Sequence, residues 1–415
     1  MKSNYNRLGN YIEEVKVRNT DLKAKELLGI NIDKFFMPSV ANVVGTDLSV
    51  YKLVKKNQFA CNRMHVGRDY RLPISMSKSK EEFMVSPAYD VFEIKDTEVL
   101  NPEFLMMWFT RREFDRNAWF YTDADVRGGM SWKSFCDMQL PIPTITKQRE
   151  IVKEYNVIQN RIALNQQLIQ KLEETAQAIY KQWFVEFEFP NENGNPYKSN
   201  GGEMVWNEEL GKEIPLGWEV GNISGLGFIK HGYAFKGEDF TENETNLLLV
   251  SPGNFKLSGG FNFDKNKYYA GKYPKSYVLS ENDLIVNMTD LSKNGDTLGN
   301  TALIPIINFK TLLHNQRVGK FELKNLIYTY YLFFVTNQKD YKHYILGTAT
   351  GTTVRHTSPD RIASFQVLQP DEDVIEKFNR LVCPIINLIN LSPSQNYKLT
   401  ELKDLLLSNL ATINN

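Results

Sequence analysis

Two short segments concentrate arginine beside aromatic rings. CNRMHVGRDYR carries Arg63, His65, Arg68, Tyr70 and Arg71 within nine residues. FTRREFDRNAWFYTDADVRGG carries Arg111, Arg112, Arg116 and Arg127 with Phe109, Trp119 and Tyr121. A guanidinium presents a planar fork of donors that grips a phosphate or the O6/N7 edge of guanine, so contact with DNA is the chemistry on offer. Acids are interleaved at Asp69, Glu113 and Asp115, and a solvated, ion-paired face reads from the same residues. Arg127 and Arg355 stand apart. Each follows a Val in a Gly/Thr-rich loop and precedes a Ser: Val126-Arg127 with Ser131, and Val354-Arg355 with Ser358. An arginine used for packing would also recur in this way, and both readings stay open.

Other chemistries are poorly represented. The sequence has no GxxxxGK[ST], HExxH or GxSxG motif, so neither a P-loop, a zincin site nor a nucleophile elbow is expected. Five histidines are scattered without metal-ligand spacing. Cys61, Cys136 and Cys383 form no CxxC pair, which fits a reducing cytosol and no disulfide scaffold. Asn195-Pro196-Tyr197 is superficially like a base-gripping NPPY loop, but it lacks the second Pro and any preceding Gly-rich cofactor loop. Lysines plus arginines number 49 and acids 49, which disfavours a purely electrostatic nucleic-acid binder and favours association with partners. The first residues hold no apolar leader core, and Leu326–Val335 is too short to span a bilayer; a cytoplasmic location is expected.

The elements that would position these arginines are set by two long apolar seams. Lys147 to Phe184 contains neither Pro nor Gly, and Ile151, Tyr155, Ile158, Ile162, Ile169, Leu172, Ala176, Ile179 and Trp183 alternate steps of four and three once Asn165 fills the one gap. That heptad spacing predicts a long helix packed on another helix. A second helix is expected from Asp371 to Leu410. Shifted by 227 residues, the first seam lands on Phe378, Val382, Ile385, Ile389, Ser392, Asn396, Leu399, Lys403, Leu406 and Leu410, with Pro143 meeting Pro370. A gapless match of this length points to an internal duplication. Pro393 is expected to kink or break the second copy. Upstream, LGNYI (Leu8 to Ile12) resembles VGNIS (Val220 to Ser224) at an offset of 212. Short apolar runs bounded by Gly, Asn and Pro read as strands, so each globule is α+β.

With these pieces assembled, the sequence resembles the specificity subunit of a type I restriction-modification system. LPIPTITKQREIV (Leu140 to Val152) is similar to the family's lead into its conserved helix, with Gln148 in the Gln position. IPLGW (Ile214 to Trp218) resembles the start of the second recognition domain. The second copy departs: QPDEDVIEKF (Gln369 to Phe378) lacks the Gln. The resemblance implies an α+β chain of two target-recognition domains separated by two long antiparallel helices, with a pseudo-twofold internal repeat. Its parts are residues 1–143, a central helix at 144–188, a linker at 189–211, a second recognition domain at 212–370 and a C-terminal helix at 371–415. It implies a non-catalytic, DNA-binding subunit whose globules each read half of a bipartite, asymmetric target. Two methyltransferase subunits, and restriction subunits through them, are the implied partners, and S-adenosylmethionine, ATP and magnesium belong to those partners. Expected DNA contacts are Arg63, Arg68, Arg71, Arg127 and Arg355, with Arg127 and Arg355 foremost. Expected helix contacts set Ile158, Ile162, Leu172 and Ile179 against Ile385, Ile389, Leu399 and Leu406. Two rivals are a single-chain DNA methyltransferase or nuclease, and a coiled-coil adaptor that binds no DNA.

Overall fold

The computed structural model describes residues 5–41, 45–122, 129–263, 265–306 and 310–412. The chain forms two compact units. The first is Met1–Ala163 with Lys398–Asn415, and the second is Leu164–Tyr397. The boundaries fall inside both long helices, so the helices are not separate domains, as the sequence reading had them: each globule is completed by the helix segments that cover it.

In the first unit a four-stranded antiparallel sheet runs in the order Ile12–Val15, Asp90–Ile94, Phe59–Cys61, Ile74–Met76. Its inner face packs on the helices Pro102–Thr110 and Arg112–Phe120 through Phe59, Phe92, Phe104, Phe109, Phe114 and Phe135. Asn101 fixes where the first of these helices starts. Its side chain accepts from the amides of Glu103 and Phe104, and Pro102 holds the first helical position, where a missing N–H costs nothing.

The second unit repeats the sheet. Gly227–His231, Val318–Leu323, Leu284–Asn287 and Thr301–Leu303 pair in the same order, again antiparallel. Backbone hydrogen bonds match as well. Leu8 donates to Met138 and Ile223 to Phe365; Lys95 donates to Tyr11 and Lys324 to Leu226; Met130 donates to Arg63 and Thr357 to Met288. These pairs make Leu8 equivalent to Ile223, an offset of 215 and not 212. The LGNYI/VGNIS match is thus three residues out of register, because Gly9-Asn10 lie in the turn after the first strand whereas Gly221-Asn222 end the corresponding strand Glu219–Asn222. The repeated serines are helix caps: Ser131 accepts from the Ser134 amide and Ser358 from the Arg361 amide. A second sheet of five strands, ordered Phe240–Thr241, Tyr268–Tyr269, Leu247–Val250, Thr311–His314, Val278–Leu279, enlarges this globule.

The central helix is Ile145–Phe184 and the C-terminal helix Glu372–Asn409. Within the second unit they run antiparallel: Trp183 and Phe184 meet Phe378, with ring centroids 5.9 and 4.9 Å apart, and Asn165 Nδ2 donates to Asn396 Oδ1 at 2.8 Å. Within the first unit Ile151 and Val152 share a core with Leu407 and Leu410. The C-terminal helix continues through both Pro384 and Pro393. A proline removes one donor, but seam residues on both sides of Pro393, Ile389 and Ser392 before it and Asn396 after it, stay wholly or partly covered. The expected linker at 189–211 is also structured. Phe189 is buried against Tyr197 and Trp218, and Met204–Asn207 forms a hairpin with Lys212–Pro215.

Candidate nucleic-acid interface

Arg355 lies on the short strand Arg355–His356, paired with Thr289–Asp290. Its Nε donates to the carbonyl of Lys293 at 3.3 Å, which ties it to the turn that follows Asp290. The Asp290 carboxylate organises that turn, accepting from the amides of Ser292 and Thr297 at 2.6 and 2.5 Å and from Thr297 Oγ1 at 2.7 Å. Burial pushes the Asp290 carboxyl up, but the hydrogen bonds from Ser292 and Thr297 outweigh it and leave the group below its ordinary range. Gly295 has φ +70°, and a Cβ there would stand 2.9 Å from Leu346 Cδ2 and 3.0 Å from Arg355 Cδ; only glycine fits without strain. Lys342 closes the far side. Its ammonium donates to the carbonyls of Asp296 and Leu298 and to Asn300 Oδ1, all within 3.0 Å, and burial pushes its pKa down to about 8. The turn therefore holds its tip fixed while exposing Leu291, Lys293 and Asn294. A fixed, exposed tip beside an arginine suits a groove-reading role.

In the first unit the repeat partner of that arginine, Arg127, lies outside the described residues. Arg63 is turned inward. Its Nε pairs with Asp90 at 2.6 Å, a terminal nitrogen donates to the Met130 carbonyl, and the guanidinium lies 5.7 Å from the Trp132 ring centre. These contacts commit it to joining the sheet to the following loop. Arg68 is exposed and bidentate to its neighbour Asp69, which raises its pKa through the hydrogen bond to Asp69. Arg71 is exposed and pairs with Asp33 at 2.9 Å. Arg111 is buried under Trp108, 4.2 Å from the ring centre. The two arginine-rich segments thus hold both packing and surface guanidinia, which composition alone does not separate.

The eight expected helix-contact residues, Ile158, Ile162, Leu172, Ile179, Ile385, Ile389, Leu399 and Leu406, are all half-buried. The fully covered apolar seam residues are Ile151, Ala176, Trp183, Phe378, Val382 and Leu410, with Ile386 beside them. Tyr197 of the Asn-Pro-Tyr tripeptide stacks on Phe189 and donates to the Glu203 carbonyl, a packing role. Among the described residues no cluster of three or more His, Cys, Asp or Glu could hold a metal ion, and no helix is long and apolar enough to cross a membrane. Sequence reasoning did not single out the Asp290–Thr297 turn. Its Asn-Gly step was visible, but nothing local showed that Asp290 caps it or that it adjoins Arg355.

Residues 215–371 match the type I restriction modification DNA specificity domain. The chain is 23% identical to the type I restriction enzyme MjaIX specificity subunit of Methanocaldococcus jannaschii, over 69% of this chain and 64% of that one. It is 22% identical to the HindI specificity subunit of Haemophilus influenzae, over 91% of each chain. The chain therefore spans somewhat less than two thirds of the first relative's length and nearly all of the second's. A crystal structure of a type I restriction-modification S subunit from M. genitalium shares the fold, with a TM-score of 0.59 at 13% identity, covering 99% of this chain and 96% of that one. The duplicated α+β globules and the two long helices accompany a type I restriction modification DNA specificity domain at residues 215–371, and the chain as a whole is similar to type I restriction enzyme specificity subunits.

Proposed function

We propose that this chain recognises DNA sequence without catalysing a reaction, each globule reading one half of a bipartite target and the helices carrying methyltransferase subunits. The observation that carries this reading is the repeat of one sheet, with one hydrogen-bond pattern, in both globules. Two copies of one scaffold, each with its own loops, suit a target in two dissimilar halves. The relatives bear the name specificity subunit. Docking is supported by apolar residues outside the seam: Val157, Leu164 and Leu168 on the central helix and Leu381, Leu388, Leu402 and Leu405 on the C-terminal helix are exposed. A helix that shows apolar residues on its outer face is suited to a partner. S-adenosylmethionine, ATP and magnesium are assigned to the partner subunits, and the restriction subunits join through the methyltransferase.

The test is methylation mapping in cells that carry the chain and its methyltransferase partner, followed by binding assays on duplexes altered in one half-site at a time. A split motif, weakened independently by changes in either half, is the expected result. Methyl transfer, DNA cleavage or ATP hydrolysis by the purified chain alone would favour the single-chain enzyme instead. A partner-bound chain with no affinity for duplex DNA would favour the adaptor.

A further inference from the structure

The first unit holds a cleft of about 480 Å³ bounded by Asp33-Lys34, Tyr70-Arg71, the first turns of the helix Arg112–Phe120, and Lys403 of the C-terminal helix. Its lining carries five cations, Lys34, Arg71, Arg112, Arg116 and Lys403, and two carboxylates, Asp33 and Asp115. Five minus two leaves a surplus of three positive charges, in a chain whose 49 basic and 49 acidic residues balance overall.

The surplus is located by pairing. Lys34 and Asp115 form the floor. They are buried, pair at 2.8 Å, and are completed by the Phe109 carbonyl and the Leu72 amide. Asp115 is thereby used up, and Asp33 offsets one arginine, Arg71. Arg112 and Arg116 are exposed and sit one turn apart on one helix face, and among the described residues the one ion pair of either is Arg116 with Glu113, at 4.0 Å. Like charges at this spacing repel one another. Lys403 adds a third charge from a helix face otherwise occupied by the apolar seam. Cations held together without a matching acid are favoured by an anion that enters from outside. On the rim of the cleft Tyr70 is exposed and lies against Trp119, ring centres 5.5 Å apart and planes tilted by 59°, an aromatic pair suited to a sugar or base edge.

We propose that this cleft receives a backbone phosphate of the duplex bound by the first globule, with Arg112, Arg116 and Lys403 as its ligands and Arg71 exchanging Asp33 for phosphate. The proposal rests on the DNA-reading function above and adds where the first globule meets the backbone. It also makes Lys403, near the end of the chain, part of the site of the globule that begins it.

The test uses the full chain with its methyltransferase partner and a random-sequence duplex of about 40 base pairs, titrated with KCl so that phosphate contacts are counted by salt dependence. The Arg112→Ala/Arg116→Ala double variant should bind about tenfold more weakly, and its slope of log affinity against log salt should be shallower by about 2. Lys403→Gln should make the slope shallower by about 1. If the wild-type complex binds the duplex and both variants keep its affinity and slope, the cleft is not a DNA site and the proposal fails while the DNA-reading function stands. If the wild-type complex binds no duplex, both fail. Thermal stabilisation by inorganic phosphate that is lost in the double variant, with an unchanged duplex slope, would make the cleft a free-anion site and also overturn the proposal.

Discussion

Gln148 is fully buried, and its side chain makes three hydrogen bonds: Nε2 to the carbonyls of Val99 and Pro143 at 2.9 and 2.8 Å, and Oε1 from the Asn101 amide at 2.8 Å. It therefore joins the start of the central helix to the cap of the helix Pro102–Thr110. Gln148→Leu would leave those buried backbone groups unpaired, and a loss of about 2–4 kcal/mol in the first unit is expected from denaturant melts. The equivalent position in the second copy is Ile375, fully buried in the apolar core; there Asn325 Nδ2 reaches Glu372 on the helix itself, at 3.2 Å. The missing Gln is a replacement of one tie by another. His314 allows a second residue-scale test. It is buried, its Nε2 lies 2.8 Å from the Val318 carbonyl, and burial pushes its pKa down to about 4 from 6.5. Between those values the unfolded chain binds the extra proton, so stability falls as pH falls through that window, by about 2–4 kcal/mol once below it. Melting of His314→Gln should be measurably less sensitive to acid between pH 7 and 4.5 than that of the wild type.

At the scale of elements, the helix pair divides into well-covered and half-covered positions. Ile386→Ala, at a covered site, should cost about 2–5 kcal/mol, whereas Ile162→Ala or Leu399→Ala, at half-buried sites, should cost about 1–2; urea melts distinguish the two classes. Leu388→Glu, on the exposed stripe, should leave those melts unchanged and weaken co-purification with the methyltransferase. The seam was legible in the sequence because a 3–4 spacing over ten positions has few alternatives. Even its gap residue, Asn165, proved to pair with Asn396. Strands were legible as short apolar runs, but how they pair into sheets was not. Their strands are two to six residues long, too short for periodicity, and their pairing is set by contacts remote in sequence. The roles of the arginines depended on those same contacts: only the fold shows that Arg63 faces Asp90 while Arg112 lines a cleft with a surplus of positive charge.

At the scale of the molecule, two globules with one scaffold predict separable defects. Arg355→Ala should weaken discrimination in the half-site of the second globule alone, by about 1–3 kcal/mol if the guanidinium reads a base. If competition assays instead show no change in affinity or specificity for either half, Arg355 serves only to pack its turn.

The composition of the first unit has a consequence for the order in which the protein is made. Tyr5 Oη donates to the Ala411 carbonyl at 3.1 Å, across 406 residues, and Leu407 and Leu410 fill the core that Leu8 and Ile12 begin. The second unit closes at Tyr397. On the ribosome, where domains fold as they emerge, the first-synthesised globule is thus the last to be completed, and it waits through the synthesis of the whole second globule with part of its apolar surface uncovered. Nascent chains arrested on a C-terminal extension long enough to carry residue 397, but not the residues after it, out of the exit tunnel should give a protease-resistant second unit and a first unit that is still cleaved, with resistance of the first arriving only when the last turns of the C-terminal helix have also left the tunnel.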